Sequence, residues 1–166
     1  MFKAHCFLTL VLILHFFSST PAAQVPWNAI TNGQMSMSMP CTGAWETTKE
    51  PGSITQIYMC KSGNDTYLAS WSEYEPSFKV ETAAELKSNR DNLIKGVGAV
   101  LLTNSDITYQ GLPGLEFTAN LKGAYLITSR VVIQGRHPFM LATMTPLNEN
   151  RADSIQRFFA SLRIAK

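Results

Sequence analysis

The segment ITYQGLPGLEF, residues 107–117, carries two glycines and a proline inside a run that otherwise alternates apolar and polar side chains. The alternation continues to residue 121, which predicts a half-buried strand beginning at Gly114. Leu112-Pro113-Gly114 then forms the lead-in to this strand, because proline presets one backbone dihedral angle and glycine allows positive φ. No predicted helix follows whose N-terminus could bind an anion. We therefore interpret the segment as the structural entry to a sheet, with direct ligand contact as the alternative.

Two further strands extend this segment into a predicted antiparallel meander. Turn signals at Lys122-Gly123 and Gly135-Arg136 separate strands at residues 114–121, 125–134 and 139–145. The first turn places Glu116 opposite Arg130, which predicts a cross-strand ion pair that contributes roughly 0.2–1 kcal/mol. In the simplest interpretation this ion pair stabilises the sheet. In the alternative it is a polar part of a binding face.

The chain before the meander begins with strands. Residues 33–39, GQMSMSM, alternate strictly and place Met35, Met37 and Met39 on one face. This pattern predicts a half-buried strand whose methionines face the core. Binding of a soft metal or a flexible partner is the alternative use of such a methionine stripe.

A hairpin is predicted around Pro51-Gly52, with strands at residues 45–49 and 54–61. The turn brings Cys41 and Cys60 nearly opposite each other. In an exported chain an even pair of cysteines indicates a disulfide, and a loop of ~20 residues stabilises by about 3 kcal/mol. Two free thiols are the alternative.

Two helices complete the predicted elements, after a strand at residues 66–75. Thr82 and Glu85 have the spacing of a capping box, and the side chains that recur at helical spacing are Leu86, Leu93, Ile94 and Val97, with an exit at Gly96 to Gly98. A C-terminal helix over residues 150–162 is predicted to bury Ile155, Phe158, Phe159 and Leu162. This order predicts a single α+β domain, an antiparallel sheet with helices packed on it.

The N-terminus has the layout of a secretory signal peptide. Lys3 precedes an apolar block at residues 7–17, which is shorter than the ~20 residues of a spanning helix. We expect a signal peptide at residues 1–22, a flexible leader at 23–33 and a domain at 34–166. Cleavage after Ala23 and a retained anchor are alternatives. Cys6 lies before the apolar block and cannot be a lipoprotein's acylated cysteine, so we expect a soluble protein in the periplasm or outside the cell.

Composition argues against several function classes. The 14 Lys and Arg residues nearly balance the 12 Asp and Glu residues, and no basic cluster suggests nucleic acid as a partner. His137 is the one histidine after the signal peptide, whereas a structural zinc site needs about four ligands. The chain lacks a G-x-S-x-G elbow and any nucleotide-binding glycine motif in the right context. We expect no cofactor and no transmembrane segment after signal cleavage.

Two acidic residues remain as candidates for chemistry. Glu73 and Glu75 share one face of a predicted strand and could serve acid–base catalysis or calcium binding. The simpler interpretation is a solvated strand end before Pro76.

The order of these motifs resembles a known family of small exported domains, those with a PsbP-like fold. The motifs are Met39-Pro40 at a strand end, the tyrosine-containing strand at residues 67–74, Arg90-Asp91 on a helix, the G-x-P-G-x-E segment at 111–116 and RFFxSL at 157–162. The group includes an extrinsic photosystem subunit, DcrB-type periplasmic lipoproteins and a nuclear import factor that binds Ran. The resemblance spans about residues 34–164 and implies a curved antiparallel sheet flanked by helices, in members that act as binding or assembly modules, usually without catalysis.

We therefore expect a non-enzymatic exported binding or accessory protein that acts on another envelope or secreted protein. The candidate binding face consists of Trp45, Trp71, Tyr74, Glu116 and Arg130. The alternative is a carrier of a small lipophilic ligand, with a pocket between sheet and helix lined by Met35, Met37 and Phe139. A third hypothesis is a hydrolase or metal-dependent enzyme that uses Glu73, Glu75, Glu116 or His137.

Overall fold

The computed structural model describes residues 26–165. The expected signal peptide and its cleavage point lie outside these residues. In chain order the elements are β1 (Asn28–Asn32), β2 (Met35–Met39), β3 (Ala44–Glu50), β4 (Ser53–Ser62), β5 (Asp65–Tyr74), α1 (Thr82–Val97), β6 (Val100–Tyr109), β7 (Leu112–Leu121), β8 (Tyr125–Gln134), β9 (His137–Pro146), α2 (Ala152–Ala160) and β10 (Arg163–Ile164).

The elements form the predicted α+β architecture around a seven-stranded antiparallel sheet. Its strand order is β3-β4-β5-β9-β8-β7-β6, and a second sheet has the order β1-β2-β10. Helix α1 packs on one face of the central sheet, against β7 and β8. The small sheet and α2 pack on the other face. Within residues 26–165, no helix has the length and apolarity to cross a membrane.

Two clusters of buried side chains lie on opposite faces of the central sheet. The smaller cluster lies under α1 and contains Leu86, Leu115, Phe117, Val131, Ile133 and Met140. The larger cluster joins the central sheet to the small sheet and α2, with Met35, Met37, Met39, Tyr58, Cys60, Tyr67, Ala69, Val132, Phe139, Leu141, Phe158, Phe159, Leu162 and Ile164. The predicted core role of the methionine stripe in β2 is therefore confirmed.

The predicted meander is confirmed as β7, β8 and β9. The turn at Lys122-Gly123 gives the predicted register, in which Glu116 pairs with Arg130. The turn at Gly135 returns the chain into β9, where Gln134 pairs with His137.

The segment at residues 107–117 forms a hairpin rather than a simple lead-in, so this part of the prediction was wrong. Tyr109 pairs with Leu112, and the turn residues between them are Gln110 and Gly111, with φ of 53° and 79°. Two residues with positive φ fit a tight type I′ hairpin turn. The strand before the turn is the continuous β6, with an irregularity between Leu101 and Thr103.

Gly114 lies inside β7 and is required for a different reason from the one predicted. Its φ is not positive; the positive-φ glycine of the segment is Gly111. A Cβ at Gly114 would lie 2.8 Å from the Val131 carbonyl oxygen and 3.0 Å from Ile107 Cγ1. The glycine therefore allows β6, β7 and β8 to pack closely.

Helix α1 occupies the predicted residues, but the predicted capping box was wrong. Glu81 is the N-cap residue and makes no side-chain capping hydrogen bond. Glu85 does not reach back to the helix start because its carboxylate accepts hydrogen bonds from Tyr74 Oη and Asn89 Nδ2. The predicted exit is confirmed by Gly98, whose φ of 69° ends the helix in the left-handed conformation. Val97, predicted to face the core, is 40% exposed.

The expected leader at residues 23–33 contains a strand instead. Residues 28–32 form β1, which pairs along its whole length with β2. The sequence of β1 gives little indication of a strand, because Ile30 is its single large aliphatic residue. The C-terminal helix is also shorter than predicted, because the chain leaves α2 at Ala160 and enters β10, which pairs with β2.

The disulfide prediction is confirmed, and its removal should be measurable. Cys41 and Cys60 are bonded, with Cα atoms 5.7 Å apart. We expect Cys41→Ser with Cys60→Ser to lower the free energy of unfolding by about 3 kcal/mol, since the bond restricts the unfolded chain. Urea unfolding of the double variant and of reduced wild-type protein should agree. An unchanged midpoint in both would contradict this account.

A second prediction concerns the close packing at Gly114. We expect Gly114→Ala to lower the free energy of unfolding by about 1–3 kcal/mol, because the added Cβ overpacks the strands. The matched control is Gly96→Ala in α1, where nothing lies within 4 Å of an added Cβ. The control should stabilise by up to about 1 kcal/mol through helix propensity. Equal effects of the two substitutions in thermal unfolding would contradict the close-packing interpretation.

Candidate functional site

The five residues of the predicted binding face do not share one open surface. Trp45 and Trp71 pack against the larger core cluster. Arg130 lies on the same side of the sheet, where it contacts α2. Tyr74 lies on the opposite side, where it contacts α1. The structure thus divides this set between the two faces.

The two tryptophans are half-buried and make specific aromatic contacts. Trp45 in β3 packs edge-on against Tyr58, with ring centroids 5.4 Å apart. Trp71 in β5 lies against Gly33, where an added Cβ would be 2.8 Å from the indole ring. Its ring centroid is 6.4 Å from that of His137. Trp71 thus helps to join the small sheet to the central sheet, whereas Trp45 packs between neighbouring strands of the central sheet.

Tyr74 ties the end of β5 to α1. Its hydroxyl donates a hydrogen bond to Glu85, and its ring lies 4.7 Å from that of Phe78. Burial, together with the neighbouring Glu85 carboxylate, raises the pKa of Tyr74 above its ordinary value. The hydroxyl therefore stays protonated at neutral pH and acts as a hydrogen-bond donor.

Arg130 is held from several directions, and the predicted ion pair with Glu116 is present. Arg130 Nε donates to Glu116 Oε1 at 2.7 Å, and Nη1 donates to the Phe159 carbonyl oxygen at 3.1 Å. The guanidinium carbon lies 4.5 Å from the ring centroid of Tyr109 and 5.1 Å from that of Phe159. Tyr109 in turn donates to the Leu162 carbonyl oxygen at 2.8 Å. These contacts connect β6, β7 and β8 to the end of α2, which favours the stabilising interpretation of the pair.

The residues considered for catalysis are spread out. His137 Nε2 lies 3.9 Å from Glu73 Oε1, beyond hydrogen-bond distance, and Glu75 is exposed. Within the part of the chain that the structure describes, no three His, Cys, Asp or Glu side chains are placed to hold a metal ion. The Glu116 carboxylate already forms an ion pair with Arg130.

The residues expected to line a carrier pocket lie in the core. Met35, Met37 and Phe139 all belong to the larger core cluster and are almost entirely buried. In this arrangement they pack the small sheet against the central sheet.

A group of exposed apolar residues close together in the chain was not predicted from the sequence. They lie at the end of α1 and the start of β6 and are Val97, Val100, Leu101 and Leu102, which are 40%, 67%, 39% and 53% exposed. We call these four residues the β6 aliphatic cluster. The apolar sequence GVGAVLL, residues 96–102, would suit the start of a buried strand. The exposure of these side chains follows only from the position of β6 at the edge of the sheet.

A test of the role of Arg130 follows from its contacts. Arg130→Lys removes the planar fork that contacts both Glu116 and the Phe159 carbonyl. We expect a loss of about 1–3 kcal/mol in the free energy of unfolding, the usual contribution of hydrogen bonds to charged groups. The matched control is Arg90→Lys, whose pair with the 62% exposed Asp91 contributes at most about 1 kcal/mol and whose second contact is a surface hydrogen bond to Asn104 Oδ1. If urea unfolding gave equal losses of unfolding free energy for Arg130→Lys and Arg90→Lys, the contacts of Arg130 would stabilise the fold no more than those of Arg90.

Comparisons with known proteins identify the fold. No family model matches the chain, and no curated protein matches it. Among solved structures, the chain is similar to the solution structure of cyanobacterial PsbP (CyanoP) from Synechocystis sp. PCC 6803, with a TM-score of 0.57 and 11% sequence identity. The match covers 90% of this chain and 98% of that chain. Its order of strands and helices, together with this similarity, establishes that the chain has a PsbP-like fold.

Proposed function

We propose that this protein is a non-enzymatic exported binding or accessory protein, and that it acts on another envelope or secreted protein through the edge strand β6. The observation that carries the proposal is the β6 aliphatic cluster on a ten-residue edge strand. Four exposed apolar residues within six positions of the chain favour an interaction site there.

The contrast between the two edges of the central sheet supports the choice of β6. The other edge, β3, has the sequence AWETTKE. Its three charged residues protect an edge against pairing with another chain. Strand β6 has the sequence VLLTNSDITY, with one charged residue and no proline. The irregularity between Leu101 and Thr103 is its main protective feature.

The geometry of an edge strand favours one kind of occupant. The outer side of β6 pairs with no strand among residues 26–165, so its outward backbone groups are free to pair with an added strand. An extended segment of a partner protein can supply those hydrogen bonds, while apolar side chains cover the exposed leucines. We therefore infer that the partner contributes an extended, apolar segment.

Export is supported by two independent features. The N-terminal residues have the pattern of a signal peptide, and the Cys41–Cys60 disulfide suits an oxidising compartment. The periplasm and the extracellular space both meet this condition.

The proposal predicts that charges on β6 weaken binding. Val100→Lys and Leu102→Lys place an ammonium group in the apolar contact, which is costly when the group is buried. Immobilised wild-type protein should capture a reproducible partner from the exported fraction of its own host, identified by mass spectrometry. Each variant should bind that partner at least about tenfold more weakly, equivalent to about 1.4 kcal/mol.

The matched control is Thr48→Lys on the exposed edge β3, which should leave capture unchanged. Thermal unfolding of all variants separates loss of binding from loss of fold. Capture that survives both β6 variants would overturn the edge-strand site, and its loss in a folded Tyr74→Ala or Trp71→Ala variant would place binding near that side chain instead. A dimer that Leu102→Lys dissociates would identify a second copy of this chain as the occupant instead.

A further inference from the structure

The sulfur atoms of the protein differ widely in their access to solvent. Cys41 and Cys60 are already joined as a disulfide, so the methionine thioethers are the remaining oxidisable sulfur in the described part of the chain, which holds every methionine except Met1. Four of these methionines are at most 9% exposed: Met35, Met37, Met39 and Met140. Met144 is half-buried, whereas Met59 is 54% exposed. Met59 is therefore the most accessible thioether among the residues that the structure describes.

Met59 owes this exposure to its position in the central sheet. It lies in β4 between Tyr58 and Cys60, which are both buried in the larger core cluster. Because side chains alternate along a strand, Met59 points to the opposite face, on which α1 packs. Helix α1 lies against β7 and β8, and strands β5 and β9 separate β8 from β4. The helix therefore leaves the Met59 side chain uncovered.

The backbone at Met59 is held on both sides. Met59 pairs with Ala44 in β3 and with Leu68 in β5, and the next residue, Cys60, is fixed by the disulfide. An oxidant can thus reach the Met59 sulfur without any opening of the sheet. A buried methionine, in contrast, reacts only in molecules that have opened locally or globally, and these are a small fraction of the population under native conditions.

We propose that Met59 is the site at which peroxides oxidise the folded protein, with methionine sulfoxide as the product. A lone pair on Met59 Sδ attacks one oxygen of hydrogen peroxide, and the O–O bond breaks. The proton of the oxygen bound to sulfur passes to the departing hydroxide, which gives water. The sulfur loses two electrons and the peroxide gains them.

The product changes the chemistry of the sheet face around Met59. A sulfoxide is polar and accepts hydrogen bonds, whereas the thioether is apolar. The side chain is exposed in the native state, so the polar product replaces no core contact and the fold should persist. Met59 does not belong to the β6 aliphatic cluster, and the modification does not depend on the proposed function.

The test treats the folded protein with hydrogen peroxide and follows each methionine by peptide mass spectrometry. We expect Met59 to gain one oxygen atom at least about tenfold faster than the four buried methionines, because these react only from opened molecules. In urea above the unfolding midpoint, all the methionines should react at similar rates. A preference for Met59 that persists in the unfolded chain would contradict a role of the fold in the selection.

Two matched variants locate the reactive sulfur on the intact protein. Met59→Leu and Met144→Leu each remove one sulfur at nearly constant volume, so both variants should fold. The fast addition of the first oxygen should disappear in Met59→Leu and remain in Met144→Leu. Its retention in Met59→Leu would overturn the proposal, as would peptide rates in the folded wild-type protein that are equal at all sites or faster at another methionine. The wild-type rates decide the matter alone if a variant folds poorly.

Discussion

The central constraint on this structure is that the middle strands of its sheet bury side chains on both faces. Val131 and Val132 are adjacent in β8 and point to opposite faces, yet both are fully buried. A strand of this kind needs a covering layer on each side, because exposed apolar surface is costly. Helix α1 supplies one layer, and α2 with the small sheet supplies the other. The edge strands β3 and β6 lack such cover along most of their length, and most of their residues are exposed.

Local sequence signals predicted the parts of the fold that depend on short-range chemistry. The turns at Pro51-Gly52 and Lys122-Gly123 fix strand register, and register in turn placed Cys41 against Cys60 and Glu116 against Arg130. The alternation of the β2 methionines identified a core face without any knowledge of what covers it. These features follow from period and turn type alone.

The features that sequence reasoning missed depend on contacts between distant segments. Strand β1 has one large aliphatic residue and forms because β2 lies beside it. Glu85 has the spacing of a capping residue, but Tyr74 from another element occupies its carboxylate. The β6 aliphatic cluster was missed for the same reason. Exposure of Leu102 depends on the strand order, which brings β6 to the edge of the central sheet.

The pairing of β10 with β2 has a consequence for how the molecule is made. Arg163 and Ile164 pair with Ser36 and Met35, so the first and last parts of the domain meet in one sheet. Contacts so distant along the chain carry a large loop-closure entropy and form late. The small sheet cannot close until the final residues have left the ribosome and, for an exported chain, the translocation channel. Until then, the edge of β2 that pairs with β10 stays open, and the larger core cluster lacks Ile164.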